Sequence, residues 1–250
     1  MTEEQARIPF LTGHGISKSF GNVRALQNVN IEIRETEILA IVGDNGAGKS
    51  TLTKILTGIC QPDQGDLSVA GERTRIGSPL KARELGIGVV LQDLALVDCR
   101  DVASNLFLGC EPTRWGIFVN RQQMRREAER VLGQLEVHVP SVATEVRWLS
   151  GGQRQGVAIG RVMLRRHRVV FMDEPTAALG VKESRRVLDL ILRLKSAGAG
   201  VAIISHDMQH VFSVADRILV LRQGKVVGER DRTSTTPQEI VEMIVGAHVL

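Results

Sequence analysis

The chain has 250 residues, a length typical of one large domain or of one domain with an insertion. Hydrophobic residues make up 43% and charged residues 24%, which excludes a mostly disordered chain and a collagen-like one. The 32 basic and 28 acidic side chains leave a net charge of +4. That excess is too small to predict nucleic-acid binding by itself, and we expect no nucleic-acid partner.

Three further features predict a cytoplasmic chain. The cysteines, Cys60, Cys99 and Cys110, have no metal-ligand spacing and form no disulfide framework, which favours a reducing compartment. No stretch approaches the roughly 18 consecutive apolar residues of a membrane-spanning helix. The first residues, Met1 to Gln5, are polar and acidic, unlike a secretory signal. Work at a membrane would therefore require another protein as the anchor.

The hydrophobic pattern predicts strands that alternate with helices. Alternating apolar residues and then a continuous apolar run predict strands within residues 28–42. Shorter apolar runs predict strands over 87–91, 169–172, 201–204, 218–221 and 225–227. The predicted helices cover 49–56, 121–135, about 150–164, 184–195 and 208–215, with two more beginning at Pro79 and Pro237.

Short local signals mark several of these boundaries. Ser78-Pro79 is typical of a helix start, and Asn120 is a candidate cap. Thr236 and Glu239 have the spacing of a capping box. Gln223-Gly224 separates two apolar runs and predicts a β-hairpin.

The order of elements predicts the domain organisation. Helical patterns dominate from about Leu94 to Arg166, and strands alternate with helices on either side. We expect a single domain over residues 1–250, with a core of about 1–92 and 167–250 and a helical insert of about 93–166. This pattern indicates an α/β fold with a parallel sheet.

One glycine-rich segment has the pattern of a phosphate-binding loop. It matches G-x-x-x-x-G-K followed by Ser or Thr at every fixed position, between a predicted strand and a predicted helix. Its residues are Gly43, Asp44, Asn45, Gly46, Ala47, Gly48, Lys49 and Ser50. Glycines let backbone N–H groups converge on phosphate oxygens, and the following helix directs its positive end at the same anion. Lys49 adds a positive charge, and the Ser50 hydroxyl suits Mg²⁺.

A second predicted strand ends in two carboxylates, Asp173 and Glu174. Alone, such a pair is often a solvated strand end. Beside a phosphate loop it predicts nucleoside-triphosphate hydrolysis, with Asp173 steering Mg²⁺ and Glu174 orienting a water molecule.

A polar string then indicates the family. Leu149-Ser-Gly-Gly-Gln-Arg-Gln155, together with the phosphate loop and Asp173-Glu-Pro-Thr176, resembles the nucleotide-binding subunit of an ATP-binding cassette (ABC) transporter. The resemblance runs from about Ile16 to Val245. It implies a P-loop, RecA-like core with a mixed sheet, an antiparallel N-terminal β region and an α-helical insert. Ser150 and its glycines begin a predicted helix, which is a second preformed anion site. In the family, two subunits pack head to tail, and this string from one covers the γ-phosphate held by the other.

The resemblance also implies roles for individual residues. Gln92 matches the glutamine that reaches Mg²⁺, His206 the switch histidine that contacts the γ-phosphate, and Phe20 the aromatic that stacks on adenine. Thr51 matches a hydroxyl that contacts the phosphates. The implied catalytic residues are Lys49, Glu174 and His206. The implied ATP-binding residues are Phe20, the loop from Gly43 to Ser50, Thr51 and Gln92. The implied magnesium ligands are Ser50, Gln92 and Asp173, and the residues expected to cover the partner's ATP are Ser150, Gly151, Gly152 and Gln153.

Two features depart from the family pattern. Thr176-Ala-Ala-Leu-Gly180 ends in glycine where the family usually has aspartate, which puts the detail of communication between subunits in doubt. Gly156 and Gly160 stand where alanine is common, and a close backbone approach is one explanation.

The segments Leu85–Val90, Ala103–Gly109 and Phe118–Ala128 resemble the ATPases of ribose-, fructose- and xylose-type monosaccharide importers. The resemblance implies a homodimer that binds ATP and Mg²⁺ beneath a membrane permease, supplied indirectly by a periplasmic sugar-binding protein. The chain would lie in the cytoplasm, on the inner face of the membrane. The alternatives are a soluble ABC ATPase of iron–sulfur cluster assembly, an ABC transporter for another substrate and, from outside the family, a P-loop kinase or GTPase.

Other features have simpler interpretations. Gly13-His14-Gly15 is interpreted as a turn. The basic clusters 125–126, 165–168 and 185–186 are expected on solvated helix faces. Trp115 and Trp148 are expected to pack inside the helical insert.

Overall fold

A computed structural model describes residues 9–177 and 179–246. The chain divides into two compact units. The first comprises residues up to Val89, His167–Glu174 and the residues from Leu194 onward, and the second comprises Val90–Arg166 and Pro175–Arg193. The predicted insert falls in the second unit, which also takes in residues 175–193. That the units form a single domain over 1–250 stays a prediction, and the predicted ends lie outside the described residues.

The described residues form strands and helices in alternation. The strands are β1 (Leu11–Phe20), β2 (Val23–Ile33), β3 (Ile38–Val42), β4 (Gln64–Val69), β5 (Glu72–Arg73), β6 (Ile87–Val90), β7 (Thr113–Arg114), β8 (Phe118–Val119), β9 (Val169–Asp173), β10 (Gly200–Ile204), β11 (Arg217–Arg222) and β12 (Lys225–Asp231). The helices are α1 (Lys49–Leu56), α2 (Pro79–Glu84), α3 (Val102–Phe107), α4 (Arg121–Gln134), α5 (Gly151–Leu164), α6 (Val181–Ser196), α7 (Met208–Val214) and α8 (Pro237–Val245). Short 3-10 helices cover Val146–Trp148 and Arg232–Ser234.

Two sheets build the first unit. The larger has the order β12-β11-β3-β10-β9-β6, in which β11, β3, β10 and β9 run parallel and β12 pairs antiparallel with β11. The smaller is antiparallel between β2, β1, β4 and β5. The expected α/β class, with a mixed sheet and an antiparallel N-terminal β region, is confirmed. All five residues of β3 and of β10 are buried, as their continuous apolar runs predict.

A buried ion pair ties three strands of the first unit together. Arg217, at the start of β11, is only 5% exposed and donates to both carboxylate oxygens of Glu37, at 3.0 and 3.1 Å. It also donates to the Glu32 carbonyl oxygen of β2 at 2.6 Å and to Glu229 of β12. Burial alone would lower the pKa of Arg217, but the charges of Glu37 and Glu229 outweigh it and raise that pKa. Arg217 therefore stays charged inside the sheet.

Helices α3, α4 and α5 form the core of the second unit. Their apolar faces meet around buried residues that include Leu106, Ala128, Leu132 and Val157. Helix α5 carries glycine where neighbours come closest. A Cβ at Gly156 would lie 2.6 Å from Val137 Cγ1, and one at Gly160 would lie 3.0 Å from Leu106 Cδ2. The close approach is therefore made by side chains, not by backbone.

Most predicted boundaries are confirmed. Helix α1 covers the predicted residues, Ser78 and Asn120 cap α2 and α4, and β11 and β12 form the predicted hairpin. Helix α6 begins three residues before its prediction. The predicted capping box of α8 is half formed: Thr236 accepts from the Glu239 N–H, but the Glu239 carboxylate binds the Thr235 hydroxyl and Arg230.

Three interpretations were wrong. Gly13-His14-Gly15 is not a turn but part of β1, where the pairing register shifts between Gly13 and Ile16. Residues 165–168 follow the end of α5 and do not lie on a helix face.

The third error concerns the tryptophans. Trp115 is 90% exposed and Trp148 is 75% exposed, so neither packs in the second unit.

Among the described residues, no helix is both long and apolar enough to cross a membrane.

Candidate nucleotide site

The phosphate loop joins the buried strand β3 to helix α1. Gly43, Gly46 and Gly48 have φ values of 151°, 82° and 106°, in the region that favours glycine. A Cβ at Gly43 would lie 2.1 Å from the Leu221 carbonyl oxygen, and one at Gly48 would lie 2.6 Å from the Ala25 carbonyl oxygen. Gly46 has open space around it. Gly43 and Gly48 are therefore required for space as well as for backbone conformation, whereas Gly46 is required for backbone conformation alone.

A hairpin turn far along the chain braces this loop. The Gly224 N–H donates to the Ala47 carbonyl oxygen at 3.0 Å, and the Gly224 carbonyl oxygen accepts from the Gln27 N–H at 2.8 Å. Gln223 and Gly224 both have positive φ, as a two-residue hairpin turn requires. The sequence predicted this turn but not its contact with the loop, because no local signal marks which residues the turn will meet.

The loop side chains are held in a definite arrangement. The Lys49 ammonium donates to the carbonyl oxygens of Gly43 at 2.6 Å and Asp44 at 2.9 Å. Thr53 returns its hydroxyl to the Lys49 carbonyl oxygen. No described residue hydrogen-bonds the hydroxyl of Ser50 or Thr51. These two hydroxyls are available to a ligand at the start of α1.

The acidic pair and the histidine meet at the carboxyl ends of neighbouring parallel strands. Asp173 ends β9 opposite Ile204 of β10, and the Glu174 N–H donates to the Ile204 carbonyl oxygen at 2.9 Å. Glu174 has a φ of 47°, an unusual conformation for a residue other than glycine. Its carboxylate Oε1 lies 2.8 Å from Nδ1 of His206. The structure thus brings together Asp173, Glu174 and His206, which the sequence placed after two separate strands.

Charges in this cluster depend on one another. Burial raises the pKa of the Asp173 carboxyl, and the neighbouring Glu174 raises it further, against the effect of Lys49. Burial also lowers the pKa of the Lys49 ammonium, and Glu174, Asp44 and Asp173 partly offset that effect. The charges of Lys49 and Lys54 therefore do not fully offset the burial of Asp173 and the repulsion between the two carboxyl groups.

The chemistry of these side chains suits Mg²⁺. Magnesium prefers hydroxyl and carboxylate oxygens and keeps several waters, so a few protein ligands are enough. Ser50 offers an unpaired hydroxyl, and Asp173 offers a carboxylate whose raised pKa a cation would reverse. Among the described residues there is no cluster of three or more histidine, cysteine, aspartate or glutamate side chains for a metal.

Phe20 occupies an exposed position at the end of β1. Its side chain is 53% exposed, and the Lys18 ammonium lies 5.6 Å from the ring centroid, held by Asp63 at 2.6 Å. Strand β1 pairs with β2, whose Ala25 carbonyl oxygen closes on Gly48 of the loop. An exposed aromatic ring on this ribbon is suited to stacking on a planar base.

In the second unit, the predicted anion-binding residues lie at the start of α5. Ser150 is the N-cap: its hydroxyl oxygen accepts from the Gln153 N–H at 3.4 Å, and the Gln153 Oε1 accepts from the Ser150 N–H at 2.9 Å. The Gln153 amide also donates to the His138 carbonyl oxygen at 2.8 Å. The N–H groups of Gly151 and Gly152 have no partner within the helix. Their N–H groups and the Ser150 hydroxyl proton are available to an anion.

The remaining predicted positions also lie in the second unit. Gln92 follows β6 and is exposed. Gly180 precedes α6, and a Cβ there would lie 2.7 Å from the Glu183 Oε2. An aspartate at 180 would therefore bring a second carboxylate against Glu183, which gives a local reason for glycine. Ala178, in the same stretch, lies outside the described residues.

These features define an ATP-binding cassette, and comparison with known proteins agrees. The family model described as ABC transporter matches residues 26–177, a range that includes the phosphate loop, Ser150–Gln153 and Asp173-Glu174. The chain belongs to the ABC transporter family.

Particular relatives are sugar import proteins. The chain is 44% identical to the xylose/arabinose import ATP-binding protein XylG of Sulfolobus acidocaldarius, over 92% of this chain and 91% of that protein. It is 42% identical to the fructose import ATP-binding protein FrcA of Rhizobium meliloti, over 97% and 96%. It is also 43% identical to the ribose import ATP-binding protein RbsA of Chromobacterium violaceum, over 96% of this chain and 47% of that protein.

Solved structures show the same fold. The ATP-binding cassette MJ1267 superimposes with a TM-score of 0.83 at 25% identity, over 94% of this chain and 98% of that one. The bacterial cassette MJ0796, described as dimeric, superimposes with a TM-score of 0.75 at 26% identity, over 89% and 98%.

Proposed function

We propose that this chain binds and hydrolyses ATP to power monosaccharide import through a partner membrane permease. The observation that carries the proposal is that a glycine-rich helix start lies in each unit, at α1 and at α5, with backbone N–H groups that an anion can reach. The names of its relatives supply the cargo class, since XylG, FrcA and RbsA are sugar import proteins. Those relatives give no support to iron–sulfur assembly, and membership of the ABC family argues against a P-loop kinase or GTPase.

Each residue then has a defined task. The loop N–H groups and Lys49 bind the phosphates, Thr51 adds a hydroxyl, and Phe20 stacks on the adenine. Ser50, Asp173 and Gln92 would hold Mg²⁺, which neutralises charge on the phosphates. Glu174 orients the attacking water and accepts its proton. In the structure the Glu174 carboxylate is bonded to His206, so His206 must exchange this bond for the γ-phosphate.

A homodimer completes the site. We propose that two copies pack head to tail, so that Ser150, Gly151, Gly152 and Gln153 of one copy cover the ATP bound by the other. Preorganised donors at the start of α5 then stabilise the charge that develops on the transferred phosphoryl group. The subunit would lie against the cytoplasmic side of the permease, which receives sugar from a periplasmic binding protein.

Glu174→Gln tests the hydrolytic role. The variant should bind a fluorescent ATP analogue, dimerise with ATP in size-exclusion chromatography and release almost no phosphate, because an amide accepts no proton from water. Glu72→Gln is the matched control, since Glu72 is an exposed residue of β5. Near-normal phosphate release by Glu174→Gln would remove Glu174 from its assigned role.

A complementation experiment tests the shared site. Lys49→Ala disables one loop, while Ser150→Asp keeps an N-cap acceptor but places a carboxylate against the phosphate. Each variant alone should be inactive, whereas a mixture contains heterodimers in which one intact loop faces one intact α5 start. Random exchange predicts about a quarter of wild-type turnover for independent sites. An inactive mixture, with heterodimers verified by affinity tags, would refute the shared site.

A further inference from the structure

An exposed apolar hairpin projects from the second unit. Strands β7 and β8 pair antiparallel, with Arg114 opposite Phe118. Trp115 is 90% exposed, Ile117 77%, Phe118 64% and Val119 50%. Successive residues of a strand point to opposite faces, so neither face of this hairpin is covered within its unit. We call Arg114–Val119 the apolar hairpin.

The tryptophan occupies a position that local stability does not favour. Trp115 and Gly116 form the turn, with φ of 53° and 75°, and the Ile117 N–H donates to the Arg114 carbonyl oxygen at 3.3 Å. Such turns favour asparagine or glycine at the first position, because left-handed backbone is costly for other residues. Trp115 thus combines a strained backbone with an unburied ring, so its folding contribution does not account for its presence.

The hairpin is firmly attached to a helix. The Asn120 N–H donates to the Pro112 carbonyl oxygen at 2.7 Å, closing the base of the hairpin. The Asn120 side chain then accepts from the Gln123 N–H at 3.1 Å and caps α4. These two hydrogen bonds therefore fix the base of the hairpin at the start of α4.

The arginines within the hairpin and in the first turns of the helix that follows it have no acidic partners. Arg114 lies in it, and Arg121, Arg125 and Arg126 lie exposed in the first two turns of α4. None of the four forms an ion pair with any described residue. Residues 111–128, through the second turn of α4, contain these four arginines and two acidic residues, Glu111 and Glu127, of which Glu127 pairs with Arg130.

We propose that the apolar hairpin and these four arginines bind the surface of a bilayer that contains anionic phospholipid. Tryptophan and phenylalanine favour the boundary between headgroups and acyl chains, and arginine binds phosphate headgroups. Two-fold contact with a second copy would instead place the arginines of both copies face to face. This inference goes beyond the transport function and does not rest on it, since the interaction needs neither ATP nor permease.

Vesicle binding by the isolated chain tests the proposal. At low salt the chain should co-sediment with vesicles of phosphatidylcholine and phosphatidylglycerol, much less with phosphatidylcholine alone, and salt should release it. The substitutions Arg125→Gln and Arg126→Gln should each weaken binding to the anionic vesicles about fivefold. Trp115 and Trp148 are the only tryptophans, so each can be observed alone. Trp148→Phe should show a blue shift of emission on the anionic vesicles, and Trp115→Phe should show none.

Matched variants distinguish binding through the apolar hairpin from nonspecific adsorption to vesicles. Trp115→Ser with Phe118→Ser should abolish vesicle binding without changing the thermal midpoint, because both side chains are exposed. Trp148→Ser, at the other exposed tryptophan, should bind vesicles normally. The proposal is overturned by absent binding to anionic vesicles, or by binding that survives the hairpin change. Hairpin-dependent self-association without vesicles would overturn it too, in favour of a second copy of the chain.

Discussion

Two glycines of the phosphate loop differ in one physical respect that a matched pair of variants can measure. Gly46 and Gly48 both have left-handed backbone, with φ of 82° and 106°. A Cβ at Gly46 would meet nothing within 4 Å, whereas one at Gly48 would lie 2.6 Å from the Ala25 carbonyl oxygen and 2.8 Å from Leu26 Cδ2. The perturbations are Gly46→Ala and Gly48→Ala, the same methyl group added to the same loop.

The expected free energies of unfolding follow from these distances. Left-handed backbone costs alanine about 1–2 kcal/mol, and both variants carry that cost. Gly48→Ala must also displace a strand carbonyl, and overpacking of this kind costs about 1–3 kcal/mol more. We therefore expect Gly46→Ala to lose about 1–2 kcal/mol and Gly48→Ala about 2–5 kcal/mol. Movement of β2 away from the loop should also weaken nucleotide binding more in Gly48→Ala than in Gly46→Ala.

Urea denaturation without nucleotide, with titration of a fluorescent ATP analogue, measures both quantities. The slope of each unfolding curve serves as the control, because an unchanged slope shows that the same surface unfolds. Equal stability of the two variants would refute the reasoning, because it would mean that the Ala25 contact does not constrain the loop. Weaker ATP binding by Gly46→Ala than by Gly48→Ala would refute it as well.

Three other changes have effects that the structure specifies. Because the pKa of Asp173 is raised on folding, the unfolded chain binds fewer protons just above the ordinary pKa, and stability falls as pH rises through the raised value. Asp173→Asn should therefore be more stable than wild type at neutral pH without ligand. Urea denaturation measures the difference in free energy of unfolding between the two proteins, and a difference that does not grow from acid to neutral pH would contradict this. Gly156→Ala should gain about 1 kcal/mol of helix propensity, but the contact of the new Cβ with the β-branched Val137 should cost more, so we expect a net loss in the free energy of unfolding. In a double-mutant cycle, Val137→Ala should remove that loss, and zero coupling between the two positions would be contrary evidence. Arg217→Met should cost about 3–5 kcal/mol in chemical denaturation, since it leaves the buried Glu37 carboxylate with only the Arg34 guanidinium, 3.8 Å away, and a loss below about 1 kcal/mol would show that Arg34 compensates.

Signals confined to one turn of the chain predicted structure well. Ser78 and Asn120 cap the helices that follow them, and Gln223-Gly224 closes its hairpin, because each feature involves residues only a few positions apart. Strand β1 was not predicted, although it has ten residues. Its register shifts against β2 interrupt the alternation on which strand prediction depends, and its pairing is decided by distant segments.

Burial was predicted less reliably than local conformation. The expectation that Trp115 and Trp148 pack in the insert used only their large apolar rings, whereas exposure depends on what the fold brings against them. The same limit applies to the nucleotide site. The glycine spacing indicated a phosphate loop, but it did not indicate that Gly224 braces Ala47 or that β2 closes on Gly48.

Under the proposed function, the two helix starts bind phosphate in different ways. The start of α1 is fixed by left-handed glycines and by contacts to two other strands, while the start of α5 is fixed by the reciprocal bonds of Ser150 and Gln153. Both backbones are held by contacts within the protein itself, so little conformational entropy would be lost when ATP binds. The side chains differ: Lys49 is bonded to loop carbonyls and His206 to Glu174. ATP must replace these bonds, and we infer that release of Glu174 from His206 is the step that leaves the carboxylate able to accept a proton from water.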